Sequence, residues 1–506
     1  MIIKDALWQI VGRLLSALGG FVVISLMTPY LGPLRFGDYS TILKYFAIRS
    51  ALADFGLYVL AIKKLGQLKQ SLQDNIDQTL SDYYSRFVTS RLVMICGVYI
   101  LALGIAYLIP SYTSNIYLLY GLPMGMLFSA SFMFAGILQL PVQLYGKMHH
   151  TTIALSLARI VQITSLAMIV GYLYPDYSGL VTMPPSVFVM VLGSVVLSGI
   201  AQSLYIWRAS SRYLRLRWIW DPAFTRQQFF SNWQYGFAYY LSSFHTLIVV
   251  IMLSIFFPTI DGWMYVGIWA FALQLMELAL IIPSSMANSL LHKVSDSHLD
   301  QKKHAFGALM TMMIWIATVC FVNFVMFGST IIQVIGGQTY LSHVVNGSRQ
   351  MGSDFVLPFL GIVLILSFIK QIFNYIFVSC DLHNKIFVVN VVGVCVGLMC
   401  GIPLVYMYGL WGGIATQMIL ECGFVLGAYV LAYRYDCLPR LGGYEHRSRV
   451  IVVASVAFVL YVVRYLFGYS HAMAYILVVV SNLIIFLGSY PSIRRILHLL
   501  RSITSA

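Results

Sequence analysis

The chain of 506 residues is 60% apolar and only 9% charged. Its 31 basic and 17 acidic side chains are too few to wet the surface of a soluble protein of this size, so lipid must cover much of it. The net charge of +14 would suggest nucleic acid in a soluble domain; in so apolar a chain it marks loops that face anionic lipid, and no nucleic-acid partner is expected.

The first apolar run, residues 6–30, is long enough to span a membrane at about 1.5 Å per residue. No small-x-small cleavage site precedes a polar region, so the run is expected to remain as the first membrane helix. Similar runs, broken by charge clusters or Pro/Gly turns, predict fourteen helices at 5–31, 37–62, 87–109, 115–145, 151–173, 186–207, 229–256, 261–291, 305–327, 354–379, 385–408, 409–433, 450–466 and 472–490. The predicted fold class is therefore an all-α integral membrane protein. The turn at Tyr408-Gly409 is nearly chargeless and separates two of these spans by a single glycine.

Basic residues sort by turn. With the N-terminus in the cytoplasm, inner segments hold Lys4, Lys63, Lys64, Lys69, Arg86, Lys147, Arg208, Arg212, Arg215, Arg217, Arg226, Lys293, Lys302, Lys303, Lys385, Arg434, Arg440, Arg447, Arg449, Arg494, Arg495 and Arg501. Outer turns hold Arg35 and Arg349, a bias of 22 to 2 that places both termini in the cytoplasm. The longest outer turn, 328–353, has no room for a catalytic domain. The inner segments 63–86, 208–228 and 292–304 read either as amphipathic connectors or as solvated loops. In the first reading Trp218 and Trp220, beside Arg215 and Arg217, rest at headgroup level.

A weak internal repeat is visible. Trp8-Gln9-Ile10-Val11-Gly12 is echoed by Trp233-Gln234-Tyr235-Gly236, and Pro29 with Phe36-Gly37 by Pro258 with Val266-Gly267. The offset near 230 residues covers six helices, which predicts two parallel lobes; chance similarity of apolar segments is the alternative. The expected organisation is a lobe of helices 1–6 over residues 1–228, a lobe of helices 7–12 over 229–433, and two extra helices with a cytoplasmic tail over 434–506.

No P-loop, zincin, Cys-x-x-Cys, nucleophile-elbow or Rossmann pattern occurs, so neither a soluble-enzyme chemistry nor a cofactor or metal is expected. The seven cysteines imply no disulfide framework. His149-His150 lies at an inner turn beside Lys147 and reads as a headgroup contact rather than a metal site.

The informative residues are ionisable groups inside the spans, each costing roughly 2.5–3.5 kcal/mol at a helix centre unless it faces a cavity or a partner. The N-terminal lobe holds Arg13, Lys44, Arg49 and Arg159 against Asp54, while the C-terminal lobe holds Lys370 against Glu277 and Glu421. Arg91 and Arg464 lie near predicted span ends and are expected to snorkel. A positive cavity in low dielectric suits a diphosphate, for which arginine offers a bidentate fork. The acids suit either proton or sodium coupling or structural pairing. Gly121/Gly125, Gly393/Gly397/Gly401 and Gly423/Gly427 recur at four-residue spacing and allow close helix packing.

The stretch Thr28-Pro29-Tyr30-Leu31-Gly32-Pro33-Leu34-Arg35-Phe36-Gly37-Asp38-Tyr39-Ser40, followed by Leu52-Ala53-Asp54-Phe55-Gly56-Leu57, resembles the first helical hairpin of the polysaccharide-unit flippases. These belong to the multidrug/oligosaccharidyl-lipid/polysaccharide exporter superfamily. Tyr145-Gly146-Lys147-Met148 and Gly409-Leu410-Trp411-Gly412-Gly413-Ile414-Ala415-Thr416 are similar to further features of the family. Arg13, in Gly12-Arg13-Leu14-Leu15-Ser16, matches an arginine of the lipid II flippase branch, although the rest of that branch's signature is not evident. The resemblance implies two six-helix bundles around a central cavity, alternating access in a bacterial cytoplasmic membrane, and a polyprenyl-diphosphate-linked oligosaccharide as substrate. The expected diphosphate contacts are Arg13, Lys44, Arg49, Arg159 and Lys370; Asp54, Glu277 and Glu421 are left to ion coupling or pairing. Polysaccharide polymerase and glycosyltransferases are the expected partners, besides membrane lipid. Cation-coupled drug or metabolite export is the alternative within transport. A membrane glycosyltransferase or polymerase would have to draw its carboxylates from Asp176, Asp261 and Asp354.

Overall fold

The computed structural model describes residues 2–54, 57, 61, 64–66, 68–69, 76–177, 183–231, 240–241, 247–257, 260–294, 299–345, 348–380 and 382–440. The expected helices at 450–466 and 472–490, nearly half of that at 229–256, and Arg464 lie outside them. The described residues form fourteen helices: α1 (Ile2–Asp54), α2 (Ile76–Tyr107), α3 (Pro110–Thr113), α4 (Ile116–Leu138), α5 (Leu140–Leu144), α6 (His149–Met168), α7 (Pro185–Ser210), α8 (Pro222–Ser231), α9 (Ile248–Phe256), α10 (Ile260–Val294), α11 (Leu299–Gly336), α12 (Ser353–Ser379), α13 (His383–Tyr408) and α14 (Leu410–Arg434). Strands β1 (His343–Val345) and β2 (Ser348–Gln350) pair antiparallel. Ten of the helices are long and apolar enough to cross a membrane, counted among the described residues. The chain is an all-α, multi-pass membrane protein.

The first of these spans contains two passes. Gly32, at φ 62° and ψ 172°, breaks α1 in a conformation that disfavours any residue with a Cβ. Before the break, the chain runs parallel to α6: Ser16 meets Arg159, and Tyr30 Oη donates to the Tyr174 carbonyl at 3.0 Å. After it, Ile42 and Phe46 pack on Gly121 and Gly125 of α4, so this half runs parallel to α4. Helix α4 is parallel to α7, through Ser131 with Ser203 and Leu138 with Ser210, and α7 is antiparallel to α6, through His150 with Tyr205. The two halves of α1 are therefore antiparallel, and the reversal falls where the Pro29-Tyr30-Leu31-Gly32-Pro33 turn was expected.

Local sequence explains the other breaks. Asn115 caps α4 by accepting from the Tyr117 amide at 3.0 Å, and Asp221 caps α8 through the Phe224 amide at 3.0 Å. Proline occupies the first turn of α3, α5 and α7, where its missing N–H costs nothing. Gly409 takes φ 54° between α13 and α14, so the chargeless turn at Tyr408-Gly409 is a true reversal. Gly393 and Gly397 seat Phe424 and Leu420 of α14, while Gly427 seats Val389 of α13, so these glycines act as packing contacts. Helix α11 runs on to Gly336, so the connection to α12 begins nine residues later than the span ending at 327 implied.

The chain divides into two compact units, residues 1–267 and 268–506. Within the first, Gly37 and Gly267, which the repeat pairs with each other, pack backbone against backbone: a Cβ on Gly37 would strike the Trp263 carbonyl, and one on Gly267 the Pro33 carbonyl. Within the second, Ser353 Oγ donates to the Ile268 carbonyl at 2.8 Å, and the Phe271 and Tyr340 rings meet at 4.6 Å.

Candidate functional site

The second half of α1 carries Lys44, Arg49 and Asp54, and its contacts with α2 set their depths. Tyr45 Oη donates to the Ala102 carbonyl at 2.6 Å, and Ser50 Oγ lies 2.5 Å from Tyr99 Oη. Tyr99 is eight residues before the end of α2 at Tyr107, about 12 Å along the axis. Arg49 thus sits near the middle of a hydrocarbon layer about 30 Å thick. Its Nη1 donates to the Tyr45 carbonyl at 2.9 Å and its guanidinium lies 3.6 Å from the Tyr45 ring centroid. Tyr112 and Tyr240 are within electrostatic reach, and Tyr112 stands 5.8 Å from Tyr45 and 6.3 Å from Trp263, ring to ring. No carboxylate pairs with Arg49 among the described residues.

Arg159 has a similar setting on α6, ten residues into the span that begins at His149. Its Nε reaches Ser16 Oγ at 3.4 Å and its Nη1 donates to Gln162 Oε1 at 2.8 Å, again with no carboxylate pair among the described residues. Both guanidiniums are held by neutral oxygens, and no charge among the described residues compensates theirs. Lys44 is half-buried on the same half-helix. The side chain of Arg13 lies outside the described residues.

Asp54 is engaged by Arg91. Arg91, 1% exposed, donates to the Asp54 carboxylate and to the carbonyls of Ala53 and Asp54. The expectation that Arg91 snorkels is corrected: it lies near the edge of the apolar layer, but its side chain turns inward onto Asp54 and the last carbonyls of the second half of α1 and is buried there. Asp38, fully buried, accepts from Arg35 at 3.0 Å and from Asn115 Nδ2 at 2.7 Å, while the Arg35 guanidinium stacks 3.4 Å over Tyr117. Neither acid is available to Arg49.

In the second unit Lys370 of α12 and Glu421 of α14 meet each other at 2.9 Å, with Glu421 1% exposed and the Lys370 ammonium 5.0 Å over the Phe424 ring. Separate roles were expected of the two residues, and the fold brings them together. Glu277 is half-buried on α10. Gln417, one turn before Glu421, is fully buried with neither amide atom hydrogen-bonded.

The remaining polar candidates are structural. His149 and His150 stack at 4.2 Å, and His150 Nδ1 lies 3.2 Å from Tyr205 Oη; no group of three metal-ligating side chains occurs among the described residues. Asp354 accepts from the amide and the hydroxyl of Ser342 at 2.7 and 2.8 Å, which ties down the segment before β1. Sequence reasoning overlooked the tyrosines around Arg49. The available signal was the Tyr45/Arg49 spacing of four, which puts ring and guanidinium on one helix face.

The profile of the polysaccharide biosynthesis protein family matches residues 2–291. Among solved structures, the chain is similar to a lipid II flippase, MurJ, in an inward closed conformation: 12% identity, TM-score 0.70, with 98% of this chain and 100% of that one covered. It is also similar to an inward-facing multidrug resistance MATE transporter of the MOP superfamily, at 14% identity and TM-score 0.61, with 88% and 96% covered. A third similarity is to a MOP-superfamily transporter from Pyrococcus furiosus, at 12% identity and TM-score 0.50, with 90% and 96% covered. Comparison with curated protein sequences gives no match. The fold is that of the MOP-superfamily transporters, and the profile match, spanning more than half of the sequence, makes this chain a member of the polysaccharide biosynthesis protein family.

Proposed function

We propose that the chain carries a polyprenyl-diphosphate-linked oligosaccharide from the cytoplasmic to the outer leaflet of a bacterial cytoplasmic membrane by alternating access. The observation that supports this most is the pair of mid-membrane arginines, Arg49 and Arg159, that lack a carboxylate partner among the described residues. A guanidinium at that depth costs roughly 2.5–3.5 kcal/mol, and a diphosphate that neutralises it recovers that cost while being desolvated itself. Tyr45, Tyr112 and Trp263 pack beside Arg49 as buried rings and hold its side chain in place. Lys44 and Arg13 extend the same cationic set along the two halves of α1. The 22 to 2 charge bias supports cytoplasmic termini, with polymerase and glycosyltransferases as the enzymes that consume and supply the substrate.

Coupling to protons or sodium falls to the second unit in this reading. Lys370 and Glu421 neutralise each other there, and an ion that displaces the lysine from the carboxylate changes the charge of the pair. The test is flipping of a fluorescent polyprenyl-diphosphate oligosaccharide in proteoliposomes, with and without ion gradients. Transport of cationic drugs instead of the lipid-linked sugar would turn the assignment to export.

A further inference from the structure

We propose that residues 213–221 form a binding surface for anionic phospholipid headgroups, fixed at the membrane boundary by hydroxyl groups of α2. The segment links α7 to α8 without helical structure, and α2 supplies its hydrogen bonds. Ser85 Oγ donates to the Arg215 carbonyl at 3.3 Å and accepts from the Arg217 amide at 3.0 Å; Thr89 Oγ1 accepts from the Ile219 amide at 3.3 Å. Arg86 pairs with Asp221 at 2.9 Å, and Thr225 donates to Ser90 at 2.7 Å. Tyr213 and Leu216 pack on a core of Leu138, Val142, Ile206 and Ala209, so one side of the strap is buried.

The level of these contacts locates the strap in the bilayer. Ser85 and Thr89 lie 22 and 18 residues before Tyr107, about 33 and 27 Å along α2, which straddles the roughly 30 Å of the hydrocarbon layer. Trp207, 22 residues after the start of α7 at Pro185, reaches the same depth on a second helix and is half exposed. At this level Trp218 is 70% exposed and Trp220 45% exposed, turned away from the packed side. An indole that faces outward here meets the headgroup region, where its apolar body and its N–H are both accommodated.

Charge selects the lipid. Arg208, Arg212, Arg215, Arg217 and Arg226 are all exposed, and none is paired with a carboxylate among the described residues; Asp221 is taken by Arg86. Guanidiniums interleaved with indoles at a boundary match the phosphate oxygens of an anionic leaflet. The solvated-loop reading of 208–228 would leave two indoles in water beside uncompensated charge. The proposal is independent of the transported substrate, because none of these residues touches Arg49 or Arg159.

The test uses the whole protein in nanodiscs without substrate, of phosphatidylcholine alone or mixed with phosphatidylglycerol. Tryptophan quenching by brominated phosphatidylglycerol is compared with quenching by brominated phosphatidylcholine at equal mole fraction. The difference between wild type and Trp218→Phe/Trp220→Phe isolates the two indoles. Wild type should be quenched preferentially by the anionic lipid, and Arg212→Gln/Arg215→Gln/Arg217→Gln should lose that preference, at about fivefold in local enrichment per arginine. Raising salt to about 1 M, where the Debye length is about 3 Å, should erase the preference in wild type and serves if the triple variant fails to fold. Equal quenching by both lipids, or no quenching because the strap faces water or a protein partner, would overturn the proposal.

Discussion

Replacing Arg49 by alanine separates a binding cation from a structural one, because the two roles predict opposite balances. In the fold, the substitution removes a charged hydrogen bond to the Tyr45 carbonyl, at about 1.5–3 kcal/mol, and a ring contact worth about 0.5–2 kcal/mol. It also relieves roughly 2.5–3.5 kcal/mol spent on keeping an unpaired guanidinium at mid-membrane. These nearly cancel, so Arg49→Ala should insert, fold and melt within about 1–2 kcal/mol of wild type. For a diphosphate ligand nothing cancels: the lost charge-assisted contact should weaken binding roughly 10- to 150-fold. Arg49→Lys keeps the charge but not the fork and should fall between the two. Thermal unfolding of the purified variants, binding of a polyprenyl-diphosphate oligosaccharide and flipping in proteoliposomes measure the three quantities. A variant that melts several kcal/mol below wild type yet binds normally when folded would refute the assignment.

Other substitutions should behave differently. Asp54→Asn leaves Arg91 buried without its carboxylate and should destabilise the protein by about 3–5 kcal/mol, read as lost thermal stability. Lys370→Met and Glu421→Leu should each destabilise alone, whereas the double variant should regain stability and still lose gradient-driven transport; full transport by the double variant would remove the coupling role. Gly37→Ala should lower stability or expression, since the new methyl meets the Trp263 carbonyl, while Gly104→Ala on the same unit, which meets nothing, should not.

The membrane spans were legible because a bilayer imposes a length and a polarity that survive any detail of packing: even the chargeless turn at Gly409 is real. What sequence could not supply was partnership. Arg91 and Asp54 are 37 positions apart, and Lys370 and Glu421 are 51 apart, distances at which no periodicity connects two helices. Helix α2 also begins before the span, because residues 76–86, which the sequence leaves open between an amphipathic connector and a solvated loop, continue it beyond the apolar layer. Arg91 stays near the edge of the apolar layer, and its pairing with Asp54, not its depth, is what keeps it from snorkelling.

Pairing changes the charge count without changing its sign. The sequence set several cations of the first lobe against one acid; the fold spends that acid on Arg91, a cation outside the count, and so leaves Arg49 and Arg159 more positive than composition alone suggests. In the second unit Lys370 and Glu421 cancel. Two guanidiniums near the bilayer centre, uncompensated among the described residues, carry about 5–7 kcal/mol of insertion cost, a standing attraction for an anion. An anion held so well must also be released, and release needs a second arrangement in which these arginines find water or other oxygens. The neutral oxygens that hold them here, the Tyr45 carbonyl and the Ser16 and Gln162 side chains, fit that requirement. In the proposed transport they are too weak to compete with a diphosphate, yet strong enough to keep the forks in position after it leaves.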